Sequence, residues 1–371
     1  MTATTLYAPL QTASRLDRLR QALDRDHLPA LMVTGRSNVR YLTGFTGSAG
    51  LLLVFADHAV LVTDGRYATQ ADEQLEASGV TASARIAAAV EQGRVVGEVV
   101  AAAGPGRLGL EAAQISWAQH RQVTEEWVPG VEVVATIGVV EALRRVKDPG
   151  EVDRITAAAT IADAALAAVR PLLEDRCTEQ EFALALDTEM RRQGAQGPSF
   201  PTICASGPNA AKPHHRPSPR PIDPGEAVVV DFGAVVDGYC SDMTRTVWVG
   251  ELSDPDLRRA VQVVAASQAA GVAAVAAGVA CQDVDRACRE VIGDAGWGAA
   301  FVHGTGHGVG LDIHEAPAVS ATSADTLAEG HVVTVEPGVY LPGIGGVRIE
   351  DTLVVTERGS RTLTSTPKEL L

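Results

Sequence analysis

In the second half of this chain the order helix, helix, hairpin occurs twice, and this repeat limits the possible architectures more than any other feature. The first copy reads as helix 151–173, helix 178–193 with a Thr178…Glu181 capping box, and strands 227–233 and 243–249. The second reads as helix 255–277 with Ser253 as its candidate cap, helix 282–295 ending at Gly296, and strands 331–335 and 346–355. An echo links the copies: Val-Val-Val-Asp231-Phe-Gly beside Val-Thr-Val-Glu336-Pro-Gly. One such unit cannot cover its own apolar face, so the two pack together and bring two acid-bearing hairpins to one place.

Each hairpin carries a pair of acids. Asp237-Gly238 is a candidate two-residue turn, and with that turn Asp231 faces Thr244 while Asp242 faces Gly233. Side chains alternate along a strand, so Asp231 and Asp242 share a face as a diagonal pair. Two carboxylates there repel each other unless a cation sits between them or they share a proton. In the second hairpin Glu336 and Glu350 share a face only if the connecting loop is odd in length, and 341–346 has room for one. Arg348 points the same way as Glu350, either as a partner for an acid or as a ligand for a substrate carboxylate. Asp231-Phe-Gly also matches the kinase metal motif, but no His-Arg-Asp loop, glycine-rich strand loop or β3 lysine motif accompanies it.

Between the hairpins lies His303-Gly-Thr-Gly-His307-Gly-Val-Gly-Leu-Asp-Ile-His314-Glu315, which holds three of the nine histidines. Its glycines permit close approach to the backbone, so the segment reads as the wall of a site. His303 and His307 have the spacing of the zinc-protease helix, but Gly304 stands where that motif needs Glu, and Gly304, Gly306 and Gly308 oppose a helix. The glycines do not form the dinucleotide fingerprint either, because Val309 occupies its third required position. Four carboxylates with one imidazole make a mostly oxygen donor set. It suits Mn²⁺, with Co²⁺, Fe²⁺ and Zn²⁺ as alternatives. Four carboxylates carry too much charge for one ion but can bridge two, and ions ~3.5–4 Å apart lower the pKa of a bridging water and polarise a carbonyl.

With 371 residues, two domains are expected. A formal charge of −15 argues against a nucleic-acid partner, which requires clustered Lys and Arg. Five cysteines without metal-type spacing suit free thiols in a reducing cytoplasm. The N-terminus lacks the basic and apolar regions of a signal peptide. Segment 260–280 is apolar, but Gln262, Ser267 and Gln268 mark it as a buried helix and not a membrane span. Upstream, helix 14–27 is followed by strands 30–33, 50–55 and 59–63, the alternation of an α/β domain. Residues 38–48 and 63–67 read as loops or strand ends. Asp148-Pro149-Gly150 is a turn followed by a helix start, which divides the chain into domains 1–147 and 148–371.

Over essentially its whole length the chain resembles the pita-bread metallopeptidases of the aminopeptidase P and prolidase group. Asp231…Asp242…His307…Glu336…Glu350 match the five-ligand pattern of that family. Tyr41-Leu-Thr-Gly-Phe-Thr-Gly-Ser48 and Asp64-Gly-Arg-Tyr67 are similar to segments of bacterial Xaa-Pro peptidases. The resemblance implies an α/β creatinase-like N-terminal domain and an α+β pita-bread (creatinase/aminopeptidase) catalytic domain with an internal pseudo-twofold repeat. It implies that Asp231 binds one metal bidentately, that Asp242 and Glu350 bridge, and that His307 and Glu336 hold the other ion. His214, in Lys212-Pro-His-His-Arg216, matches the histidine near the scissile carbonyl, and His303 and His314 match two further substrate-facing histidines. His215 competes with His214 and has no family role. Tyr340 and Arg348 match supporting positions.

The implied enzyme is a dinuclear metallopeptidase that removes the residue before proline, with Glu336 passing a proton to the leaving nitrogen. The Gly-Phe-Thr-Gly-Ser stretch leans towards Xaa-Pro aminopeptidase, with Xaa-Pro dipeptidase as the alternative. Methionine aminopeptidase shares the catalytic fold but usually lacks the N-terminal domain. A metal-free binding module and a creatinase-like hydrolase are disfavoured by the intact ligand set. The resemblance also implies a homodimer or larger, in which the 43–48 loop can reach a partner's site. An Xaa-Pro site needs no acceptor for an N–H but does need an apolar wall for the ring, for which Tyr340 and the proline-rich 213–224 are candidates.

Overall fold

The computed structural model describes residues 7–368. The chain forms two compact units, one of Leu10–Arg144 and one of Met1–Pro9 with Arg145–Leu371.

In the smaller unit, helix Arg15–Arg25 buries Leu16, Leu19 and Leu23, spaced to fall on one side. A mixed six-stranded sheet follows, in the order Ser83–Ile86, Ala59–Thr63, Leu51–Phe55, Ala30–Val33, Arg107–Glu111, Glu132–Thr136. Ala30–Val33 is buried at every position, as its unbroken apolar run requires of a strand covered on both faces. Arg36–Thr43 is a helix, not a loop, and Gly44 ends it at φ 74°. The polar sequence concealed this because Asn38 is wholly buried, donating to Glu111 Oε1 at 2.7 Å and accepting from Arg144 Nη1 at 2.7 Å. Gly65–Tyr67 is a short 3₁₀ turn capped by the Asp64 carboxylate.

In the larger unit the repeat appears as two helix pairs, each packed on its own hairpin. Helix Pro149–Val169 begins with a reciprocal Asp148–Glu151 capping box and a proline in its first turn. One helical stretch, Pro149–Asp175, is long and apolar enough by length and composition to cross a membrane. Its Ala158, Ala162, Ala165 and Leu166 are instead packed in a core with Phe182, Leu186 and Met190 of helix Glu179–Arg192. Helices Pro255–Ala274 and Cys281–Asp294 form the second pair. Asp254, not Ser253, caps the third helix, because its carboxylate reaches the amides of both Asp256 and Leu257.

Alternation then sorts each hairpin. Val228, Val230 and Phe232 face the first helix pair, so Asp231 points away from it. Likewise Val333, Val335, Leu353 and Val355 face the second pair, leaving Glu336 and Glu350 on the opposite side. In the first hairpin Thr244 pairs with Asp231, and Val236 with Tyr239, across an Asp237-Gly238 turn whose φ values are 45° and 74°. In the second hairpin Val332–Val335 matches the expected 331–335, Gly338–Leu341 is an additional strand, and the expected run 346–355 is broken into Gly345–Arg348 and Asp351–Thr356. Its register is nevertheless constant, Val335 pairing with Asp351 and Gly338 with Arg348. The intervening Glu336 and Glu350 thus fall opposite each other, and the loop between Leu341 and Gly345 is odd in length. Threonines join the hairpins: Thr246 Oγ1 donates to Arg348 O at 2.9 Å and Thr352 Oγ1 to Asp242 O at 2.8 Å, while the Glu350 amide donates to Thr244 O at 3.1 Å.

Gly233 sits where the first hairpin leaves its strand, and a Cβ there would lie 1.8 Å from Ser241 O. Gly233→Ala is expected to destabilise the fold by about 2 kcal/mol or more, since overpacking against backbone has no side chain to yield. Urea denaturation checks this; an unchanged midpoint would show that the turn tolerates the methyl group.

Candidate metal centre and its cleft

The acid faces of both hairpins open into one cleft of about 780 Å³. It is lined by Asp231, Asp242, His307, Glu336 and Glu350, with His214, His303, His314 and Arg348 around them. Ligand atoms of Asp242, His307 and Glu350 lie within 4.8 Å of one another. His307 Nε2 stands 3.5 Å from Asp242 Oδ2 and 3.4 Å from Glu336 Oε1.

Each donor is aimed by a neighbour. Arg348 is buried and donates to Asp231 Oδ2 at 2.6 Å, to Thr244 Oγ1 at 3.1 Å and to Tyr340 OH at 2.7 Å. These bonds make it a partner for the acid cluster. Thr244 Oγ1 in turn donates to Glu350 Oε2 at 2.7 Å. The remaining oxygens, Asp231 Oδ1 and Glu350 Oε1, are buried without a hydrogen-bond partner. Buried carboxylate oxygens without donors are costly in a metal-free protein, and bound cations would satisfy both. Below Glu350, Arg245 donates to the Glu350 carbonyl and to Asp351 Oδ1 at 2.8 Å, so that the strand cannot shift.

The histidine segment forms a strand, Gly306–Gly308, between Glu315–Val319 and Val332–Val335. Only glycine fits at 306, where a Cβ would lie 2.0 Å from Thr334 O. His307 is fixed by its amide, which donates to Thr334 Oγ1 at 3.1 Å, and by Nδ1 against Gly308 O at 3.0 Å, which leaves Nε2 facing Asp242 and Glu336 and available to a metal. His303 is held at both nitrogens, by Gly304 O and Tyr340 OH, each at 2.8 Å. Tyr340 therefore stands behind His303, buried, and is not among the residues lining the cleft. The apolar wall comes instead from Phe200, Pro201, Pro213, Pro217 and Ile313. His214 and His314 are exposed at the cleft surface, and the His314 ring meets His307 edge-on at 4.4 Å.

Two supports lay beyond the sequence reading. Asp285, on helix Cys281–Asp294, accepts the amide and hydroxyl of Thr305 at 3.1 and 2.9 Å. The buried Lys147–Glu315 pair, 3.1 Å apart, anchors the end of the bend that carries His314, and Glu315 also accepts from the Asp312 amide at 3.0 Å. Asp285 lies among ordinary helix residues and Glu315 opens the strand after the histidine segment, so nothing in their spacing marked them as supports.

The electrostatics suit a cation. Burial, reinforced by Glu350 and Asp231, pushes the Asp242 carboxyl well up, and burial with Glu336 and Asp231 does the same to Glu350. Glu336 is raised to about 8 by burial, against the pull of Arg348. Burial lowers His307 to about 4, so its imidazole is neutral and able to coordinate. Burial also opposes the charge of Arg348, but Tyr340, Asp231 and Glu336 outweigh that and keep it protonated.

Comparison with known proteins gives the same architecture. Residues 153–357 match Metallopeptidase family M24, and residues 15–146 match the Creatinase/Prolidase N-terminal domain. The uncharacterized peptidase YqhT of Bacillus subtilis (strain 168) is 39% identical over 96% of this chain and 99% of its own. An Xaa-Pro dipeptidase from Bacillus anthracis superposes with a TM-score of 0.91 at 38% identity, covering 97% of this chain and 99% of that one. An X-Pro aminopeptidase from Thermotoga maritima superposes with a TM-score of 0.86 at 32% identity, covering 96% and 98%.

The raised carboxyls give the metal-free protein a distinctive pH dependence. Their folded pKa values exceed the ordinary carboxyl range near 4, so the native state binds more protons than the unfolded state. Their contribution to stability is therefore full below about pH 4 and is lost as pH rises through the folded values, about 8 for Glu336. Chelated protein is expected to melt at lower temperature near pH 8.5 than near pH 6, and Mn²⁺ should restore Tm most at the higher pH. A melting curve indifferent to both pH and Mn²⁺ would count against an acid cluster built for cations.

Proposed function

We propose that this chain, which belongs to metallopeptidase family M24 and is an Xaa-Pro peptidase, is a dinuclear enzyme that removes the N-terminal residue before proline from peptides. The observation carrying this reading is the convergence of Asp231, Asp242, His307, Glu336 and Glu350 in one cleft, with two buried carboxylate oxygens left without donors. Asp231, Asp242, His307, Glu336 and Glu350 would hold the ions. Mn²⁺ is the proposed ion for this oxygen-rich set. Divalent ions bound here would supply a nucleophile at neutral pH and a Lewis acid for the scissile carbonyl.

The chain's own groups do the rest. Glu336, which lines the cleft with Oε1 3.4 Å from His307 Nε2, would pass a proton to the departing prolyl nitrogen. His214 and His314, exposed at the cleft surface, are placed to donate to the polarised carbonyl oxygen. His303, with both nitrogens engaged, orients the wall between them. Pro213, Pro217, Phe200 and Ile313 offer apolar surface to the pyrrolidine ring. An Xaa-Ala bond would bring an N–H with no acceptor built for it.

A cleft of about 780 Å³ supports peptides longer than a dipeptide, since it lies well up the range of ~300–1,000 Å³ for ligand sites. Xaa-Pro dipeptidase is the second reading, favoured by the superposition on the Bacillus anthracis dipeptidase. Rates on Ala-Pro and Ala-Pro-Ala with Mn²⁺ separate the two, and turnover of the dipeptide alone would favour the second. Ala-Pro-Ala is expected to exceed Ala-Ala-Ala in kcat/KM by roughly 10–1,000-fold, an unpaired N–H costing ~1–3 kcal/mol. Equal values would mean a general aminopeptidase.

The histidines should separate by role. His307→Ala is expected to lose both metal and turnover. His314→Ala should keep its metal while kcat falls by ~10²–10⁴. Metal loss in the second variant would reassign His314 to the ion.

A further inference from the structure

Glu179 is the first residue of helix Glu179–Arg192, and its side chain is fully buried although it carries a charge. Its carboxylate meets the segment that runs from Ser206 to Ser218. One oxygen, Oε1, accepts from the Ser206 amide at 2.7 Å, the Ser206 hydroxyl at 2.8 Å and Asn209 Nδ2 at 3.1 Å. The other, Oε2, accepts from the Ser218 amide at 3.0 Å, the Ser218 hydroxyl at 2.6 Å and His215 Nε2 at 3.0 Å. Both ends of the segment and its middle are therefore tied to one carboxylate. Burial pushes the Glu179 carboxyl up, but the bonds from Ser218, Ser206 and Asn209 outweigh it and hold it at about 2, so the group is charged throughout the working range.

The tied segment is also a wall of the cleft. Pro213, His214, His215, Arg216 and Pro217 all line it. His214 is exposed, whereas the adjacent His215 turns its ring back to Glu179. His214 lies in a turn closed by the His215 amide, which donates to Lys212 O at 3.1 Å, so anchoring the His215 ring to Glu179 fixes the turn that presents His214 to the cleft. We propose that Glu179 is the positioning residue for the substrate-facing His214, acting through His215 and Ser218. This rests on the substrate role given to His214 above.

The test is a double-mutant cycle on kcat/KM for Ala-Pro-Ala, using the full-length Mn²⁺-loaded enzyme. Glu179→Gln keeps the shape but turns one acceptor into a donor facing three donors. It is expected to lower kcat/KM by about 10-fold or more, with metal content unchanged, since catalysis is steeply sensitive to a misplaced group. Adding His214→Ala to Glu179→Gln should cost little beyond either single change. A merely structural glutamate would instead give independent, multiplying losses. If Glu179→Gln fails to fold, His215→Asn, which loosens only the middle tie, must show the same non-additivity with His214→Ala. Full activity of folded Glu179→Gln, or losses that multiply in the cycle used, overturns the positioning role while leaving that of His214 intact. A fully active His214→Ala removes the substrate role of His214, and the positioning proposal with it.

Discussion

Mutual repulsion among buried carboxylates is the constraint around which this molecule is arranged. Asp231, Asp242, Glu336 and Glu350 are driven together by two hairpins whose other faces are committed to apolar cores. Burial, reinforced by the neighbouring acids, raises the proton affinity of Asp242 and of Glu350. One guanidinium, that of Arg348, partly offsets this while also steering Asp231 and Tyr340. Thr244 and Thr334 aim Glu350 and His307 without adding charge. What remains is a negative centre in which Asp231 Oδ1 and Glu350 Oε1 are buried without a hydrogen-bond partner, an arrangement suited to divalent cations. Removing one partner from so dense a buried network costs more than the partner's own bond, because the groups left behind are desolvated.

A second device recurs at the edges of both units. A single buried acid accepts hydrogen bonds from the backbone of a loop and fixes its course. Glu111 holds the Thr34 and Gly35 amides in the smaller unit. In the larger unit Asp285 holds Thr305, Glu315 holds Asp312, and Glu179 holds Ser206 and Ser218. Three of these loops carry cleft residues. Hydrogen bonds to a charged acceptor are stronger than neutral ones, so a site assembled from loops gains the precision usually provided by regular elements.

Much of this was legible in advance, for local reasons. The Asp237-Gly238 turn has positive φ at both residues, so its type followed from the dipeptide, and the register of the first hairpin followed from the turn. The capping box at Thr178 depends on residues three apart and was equally visible, whereas at Asp148 only the turn and helix start were, and the structure adds the capping box with Glu151. Where reading went astray, a distant partner was the reason. Arg36–Thr43 looked like a loop because Asn38 is polar, yet its amide is satisfied by Glu111 and Arg144, far away in sequence.

The sequence by itself determined the pattern: two helix–helix–hairpin copies, the alternation that gives Asp231 and Asp242 one face, and glycines that let other groups approach the backbone of the histidine segment. These are consequences of period and of φ, which a short window contains. Tertiary structure alone decided which neighbour each polar group would use. It placed Tyr340 behind His303 instead of on the cleft wall, made Arg348 a partner of Asp231, and turned His215 inward while His214 faced out. Such choices depend on donors and acceptors brought together from remote parts of the chain, and no periodicity along one strand encodes the residue that will stand across the gap.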